Sequence, residues 1–258
     1  MIIDYISDLH EDYQGINLDK HGIQKFIGKF NPKGEILLIA GDISEDNKRL
    51  VEFLRLTLKL FDYKKIFFVL GNHELYGMQY SSYNDKIKEL KVMLKEHSNI
   101  ILLDGDIVEY NGVKIGGAMM WYDGSYSKYF DQKHDLQSLW ETDMPDSSRI
   151  NGLDYYKDVF FYERKKLNKI YKDVDILITH ISPLCHPDFI HKHFKKSWTS
   201  SFFCFEGEEY INGTSATHWI FGHVHDPLEI KFKGISFHCN PSGYIREAQR
   251  VLMKQIII

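Results

Sequence analysis

Five short apolar runs in this 258-residue chain each stop at a residue able to bind a metal ion, and this recurrence limits the possible folds more than any other feature. Residues 2–7 stop at Asp8-Leu9-His10, 35–40 at Gly41-Asp42, 66–70 at Gly71-Asn72-His73-Glu74, 174–179 at His180, and 217–221 at Gly222-His223-Val224-His225. Apolar runs of this length, bounded by glycine and polar residues, read as buried strands. In an α/β sheet the carboxyl ends of parallel strands share one edge, where chemistry is usually placed. Each ending alone is weak, since a single D-x-H triplet is more often an incidental surface pair. Five of them at five strand ends point to one site.

The connecting segments fit that arrangement. Leu50, Phe53, Leu54 and Leu60 lie at helical spacing over residues 48–61, with Asp46 or Asn47 as the cap. The flanking runs 35–40 and 66–70 should therefore pair in parallel. Tyr83, Ile87, Leu90, Leu94 and His97 mark a second amphipathic helix, with Lys86, Lys88 and Glu89 expected outside. A short strand follows over 100–103, then a hairpin about Asn111-Gly112, which makes the sheet system mixed. The strand from Val113 is expected to reach Trp121-Tyr122-Asp123. Residues 153–171 read as a helix with Val159, Phe160, Leu167 and Ile170 inward, 228–239 as a hairpin about Lys233-Gly234, and 249–258 as a closing strand. Residues 124–152 lack periodicity yet contain enough Tyr, Trp and Phe to argue against disorder. Segments 122–152 and 185–206 are read as lid or pocket-wall insertions in a single domain spanning 1–258, a length for which 43% hydrophobic content supplies an ample core.

A net charge of −4 supplies no general basic field for nucleic acid. Residues 185–206 are locally basic and aromatic, through His186, His191, Lys192, His193, Lys195, Lys196 and Trp198, but a short charge run is more often a solvated loop. Nucleic acid is therefore a possible partner, not the favoured one. Cys185, Cys204 and Cys239 are too few and scattered for a disulfide framework or a metal knuckle, which favours a reducing compartment. The first residues lack the basic and apolar regions of a signal peptide, and no apolar run approaches membrane-spanning length. A cytoplasmic protein without membrane contact is expected.

Asp8, His10, Asp42, Asn72, His180, His223 and His225 make seven candidate ligands, too many for one zinc-like centre, so two ions are expected and Asp42 can bridge them. Imidazole, carboxylate and amide oxygen without thiolate suit manganese, iron or zinc, with manganese favoured, and disfavour calcium. Two divalent ions, two carboxylates and one hydroxide leave about one positive charge, a site for an anion. Ions roughly 3.5–4 Å apart can hold a bridging hydroxide and stabilise both ends of an in-line displacement at phosphorus, so no serine or cysteine nucleophile is needed.

In this order the motifs D-x-H, G-D, G-N-H-E, H and G-H-x-H, all intact, resemble the calcineurin-like metallophosphoesterase superfamily over residues 1 to about 243. The resemblance implies an α/β fold: a four-layer α-β-β-α sandwich with mixed β-sheets and metals at the strand ends. It implies that Asp8, His10, Asp42 and His225 hold one ion and Asp42, Asn72, His180 and His223 the other. His73 would then serve the transition state or the leaving group. Residues 117–123 also resemble a segment of a bacterial and phage-like branch. That branch often places a second histidine where this chain has Ile181. Glu74 is expected beside a ligand, not on a metal, and Asn240 in a turn. His134, Trp121, Tyr122 and Arg246 are read as structural. The expected function is hydrolysis of a small phosphomonoester or phosphodiester by a metal-bridging hydroxide. A metal-dependent nuclease and a non-catalytic scaffold are the alternatives, and the intact ligand set disfavours the scaffold.

Overall fold

The computed structural model describes residues 1–190, 193–247 and 252–258. Its strands are β1 (Ile2–Ile6), β2 (Ile36–Ala40), β3 (Lys65–Val69), β4 (Ile100–Leu102), β5 (Asp106–Tyr110), β6 (Val113–Gly117), β7 (Ile176–Ile178), β8 (His218–Phe221), β9 (Leu228–Phe232), β10 (Ile235–Cys239) and β11 (Lys254–Ile257). The helices are α1 (Lys20–Gly28), α2 (Asn47–Leu60), α3 (Tyr83–Leu94), α4 (Leu136–Asp143), α5 (Asp146–Arg149), α6 (Asp158–Ile170) and α7 (Glu208–Gly213).

The strands form two mixed sheets, in the orders β11-β1-β2-β3-β4 and β5-β6-β7-β8-β10-β9. In the first, β1 to β4 run parallel and β11 joins β1 antiparallel. In the second, β6, β7, β8 and β10 are parallel, with β5 and β9 as antiparallel edges. Side chains alternate across a strand, so each sheet must bury two faces. The inner faces meet each other: Ile3, Tyr5, Leu38, Phe67 and Val69 pack with Ile115, Ile176, Ile178 and Ile220. On the outer face of the first sheet, Leu37, Ile39 and Phe68 share a core with Phe26 of α1 and Leu50, Phe53 and Leu54 of α2. Leu177, Trp219 and Phe237 of the second do so with Val159, Leu167 and Ile170 of α6. The result is the four-layer α-β-β-α sandwich. Each fully buried Leu, Ile or Phe contributes about 1.5–3 kcal/mol to it.

Several boundaries differ from expectation. Asp46 caps α2, accepting from Arg49 N at 2.8 Å. In α3, Lys86 is buried, not outside, because its ammonium reaches in to donate to the carbonyls of Glu45 and Tyr76. β6 stops at Gly117 and does not reach Trp121. Close packing with the first sheet leaves a Cβ at Gly117 only 2.7 Å from Val69 Cγ1, and Met120 then turns left-handed at φ 56°. α6 starts at Asp158, not 153, because Gln137 takes up the backbone before it, donating to Asp154 O and accepting from Tyr156 N. Segment 124–152 holds α4 and α5, which its sequence does not announce. Residues 249–251 of the expected closing strand, and His191 and Lys192 of the basic stretch, lie outside the described residues. Among the described residues no helix is long and apolar enough to cross a membrane.

Candidate metal centre

The C-terminal ends of β1, β2 and β3 in one sheet and β7 and β8 in the other meet at one edge of the sandwich. Backbone bonds fix the loops there: Asp8 N donates to Gly41 O at 3.1 Å and His10 N to Asp42 O at 3.0 Å. The backbone is left-handed at Asp8, His10, Asp42, His223 and His225, with φ between 43° and 68°. Non-glycine residues seldom adopt that region, and Asp, Asn and His do so most readily. Gly71 lies against Asp42 so closely that a Cβ would sit 2.1 Å from Asp42 Oδ1. The buried Glu74 carboxylate binds the loops after β2 and β3 together, accepting from Asp42 N, Ile43 N, Ser44 N and Gly71 N at 2.5–3.0 Å. Glu74 thus supports the site without facing it.

Two groups of ligand-capable atoms result, Asp8, His10, Asp42 and His225 in one and Asp42, His180 and His223 in the other, each within 4.8 Å of one another. Asn72 Oδ1 adjoins the second, 3.1 Å from both His180 Nε2 and His223 Nδ1. All seven expected ligands are therefore brought together, with Asp42 common to both groups.

Hydrogen bonds on the far side of each ring set its tautomer. His180 Nδ1 donates to Ala40 O at 2.8 Å and His223 Nε2 to Phe202 O at 3.0 Å. His225 Nδ1 donates to Glu247 at 2.9 Å. Their other nitrogens then turn lone pairs toward acceptors: His180 Nε2 toward Asn72 Oδ1 and, at 3.4 Å, Asp42 Oδ2, and His225 Nε2 toward Asp8 Oδ1 at 3.4 Å. His10 Nε2 lies 3.1 Å from His225 Nε2, while buried His10 Nδ1 has no partner among the described residues. Lone pairs converging on one another require a cation between them. Protons can meet that requirement. Burial alone would depress His180 and His225, but Asp42 raises the first to about 9 and Asp8 the second to about 10. Burial would raise the two carboxylates, yet the histidines outweigh it, holding Asp8 at about 2 and Asp42 well below its ordinary value. Burial pushes His10 down to about 3 and His223 to about 4. A divalent ion would displace those protons and meet the converging imidazole nitrogens and buried carboxylates itself, so the donor set fits the expected metals.

His73 belongs to neither group. Its Nδ1 is 3.1 Å from Glu45 Oε1, its Nε2 3.0 Å from Tyr244 Oη and 3.9 Å from Asp42 Oδ2. Burial opposes its protonation, but Asp42 and Glu45 together raise its pKa. Arg149 anchors Glu45 at 2.5 Å. Tyr244 also stacks on His10, with ring centroids 4.2 Å apart. A cleft of about 480 Å³ opens over Asp42, Asn72, His73 and His223. Met144, Pro145 and Asp146 line it from segment 122–152, and Phe194 and Phe203 from 185–206.

Glu45, Asp146, Tyr244 and Glu247 escaped the sequence reading. Glu45 had a signal, three residues beyond Asp42 in a strand-end loop; the others follow no periodic run. The weaker candidates are structural. His134 packs against Trp198 with ring centroids 3.7 Å apart, Trp121 Nε1 donates to Tyr156 O, and Asn240 Nδ2 donates to the carbonyls of Tyr5 and Leu252. Arg246 is exposed and not among the residues lining the cleft, whereas Tyr122 is buried with its hydroxyl on Asp146.

Residues 1–227 match the family described as calcineurin-like phosphoesterase. Over 269 residues the chain is 26% identical to an uncharacterized protein of Acanthamoeba polyphaga mimivirus, covering 95% of this chain and 92% of that one. Among solved structures it is similar in fold to the phosphopantetheinyl hydrolase (PptH) of Mycobacterium tuberculosis. That likeness has a TM-score of 0.70 at 18% identity and covers 98% of this chain and 95% of the other.

Proposed function

We propose, from the premise that this chain belongs to the calcineurin-like phosphoesterase family, that it hydrolyses a small phosphomonoester or phosphodiester with two divalent metal ions, manganese before iron or zinc. The observation that carries this reading is the pair of ligand groups sharing Asp42, with imidazole lone pairs aimed into both. Asp8, His10, Asp42 and His225 would hold one ion, and Asp42, Asn72, His180 and His223 the other. When bound, such ions supply positive charge for the phosphoryl group and an activated water.

The chain's own residues do the rest. The cleft admits the ester, walled by segments 122–152 and 185–206 of what we read as one domain. His73 keeps a proton, with Nδ1 donating to Glu45 and Nε2 facing Tyr244 Oη at the cleft. A proton at Nε2 can pass to the departing oxygen, as general acid catalysis requires. From the basic stretch it is Phe194 and Phe203 that line the cleft, while Lys195 and Lys196 are exposed and not among its lining residues. That arrangement favours a small phosphorylated substrate over a polynucleotide. The three cysteines are free and buried, which suits the cytoplasm.

The test is hydrolysis of p-nitrophenyl phosphate and its bis ester by metal-stripped protein, before and after manganese is added. Activity should appear only with the metal and be abolished by Asp42→Asn and by His223→Ala. Turnover that survives both substitutions would sink the mechanism.

A further inference from the structure

Asp146 belongs to none of the strand-end motifs, yet it is completely buried beside the centre, in the wall of the cleft. Three neutral donors satisfy it: Asn72 Nδ2 at 2.9 Å and Tyr76 Oη at 2.6 Å on Oδ1, and Tyr122 Oη at 2.7 Å on Oδ2. The direction of this network is set at its far end. Trp140 Nε1 can only donate, and it donates to Tyr122 Oη at 2.6 Å, so the Tyr122 proton goes to Asp146. Asp146 Oδ1 accepts from Asn72 Nδ2, so the amide turns its NH₂ toward Asp146. Tyr76 Oη lies 2.9 Å from the same amide nitrogen, so both acceptors stand on one side of it. With the amide nitrogen held on that side, Asn72 Oδ1 faces His180 and His223. The reversed amide would offer protons where a lone pair is needed.

We infer that Asp146 is a positioning residue that sets the affinity of the ion held by Asn72, His180 and His223, by fixing which end of the Asn72 amide faces it. This rests on the two-ion reading above. It gives segment 122–152 a second task beyond walling the cleft, since α5 carries the residue that orients a ligand on the loop after β3.

Calorimetric titration of manganese into the metal-stripped full chain tests it. The wild type takes up two ions. Asp146→Ala retains one at unchanged affinity and binds the other about 10–100-fold more weakly, the usual cost of losing a group that orients a ligand. Asp146→Ala strands three donors and can fail to fold, so an exchange is measured beside it. Asn72→Asp alone opposes two carboxylates, whereas Asn72→Asp combined with Asp146→Asn restores an acceptor toward the ion and an amide behind it. The double variant should bind the second ion more tightly than Asn72→Asp alone. The inference is overturned by a folded Asp146→Ala that binds both ions as the wild type does or weakens both equally, and equally by a double variant no tighter than Asn72→Asp. A wild-type chain that takes up no manganese overturns the two-ion reading beneath it.

Discussion

Asn72 and His73 are neighbours that face different partners. The amide oxygen of Asn72 adjoins two imidazoles, whereas the His73 ring lies between Glu45 and Tyr244. If His73 serves the leaving group and not a metal, His73→Ala keeps both ions by metal analysis while the rate falls about 10²–10⁴-fold. Tyr244→Phe keeps the ring on His10, removes only the hydroxyl facing Nε2, and should cost less. Loss of an ion from His73→Ala would reverse the assignment. The candidate ligands were legible because each ends an apolar run. Tyr244 and Glu247 were not, since they follow the last such strand end in a turn whose contacts arise only when the chain returns past His10 and His225.

At the scale of elements, strands fix where the ligands emerge and glycines fix how closely neighbouring loops approach. Gly71→Ala would drive a methyl into Asp42 Oδ1, and Gly222→Ala would place one 2.8 Å from Asp8 Oδ2. Overpacking of this kind typically costs about 1–3 kcal/mol. Gly71→Ala should therefore keep its far-UV circular dichroism, melt at a lower temperature, and lose metal at both positions, because Asp42 is common to them. Loss at only one position would contradict a shared Asp42. Strand and helix existence was readable from periodicity, but several boundaries were set by tertiary contact. β6 stops where the sheets press together at Gly117, and Lys86 turns inward to donate to the carbonyls of Glu45 and Tyr76. Segment 124–152 hid α4 and α5 because both are short, and the α5 residue that matters is a buried aspartate no apolar pattern would select.

At the scale of the whole molecule, the centre spans the seam between the sheets: Asp8, Asp42 and Asn72 come from one and His180, His223 and His225 from the other. Between the strands the sheets meet through aliphatic and aromatic side chains. Ions across the seam would add a polar clamp. At a manganese concentration of about 100 times Kd, one site adds about 2.7 kcal/mol, which for a chain of this size raises Tm by roughly 5–10 °C. A thermal scan of stripped and reloaded protein reads this directly, and an unchanged Tm would mean that no ion binds the folded chain more tightly than the unfolded one. The left-handed backbone at Asp8, His10, Asp42, His223 and His225 carries a separate consequence. Glycine suits those angles better than the residues present, so replacing a ligand with glycine relieves local backbone strain even as it destroys the centre. Backbone conformation alone therefore does not call for aspartate or histidine at these five positions; what calls for them is what their side chains bind.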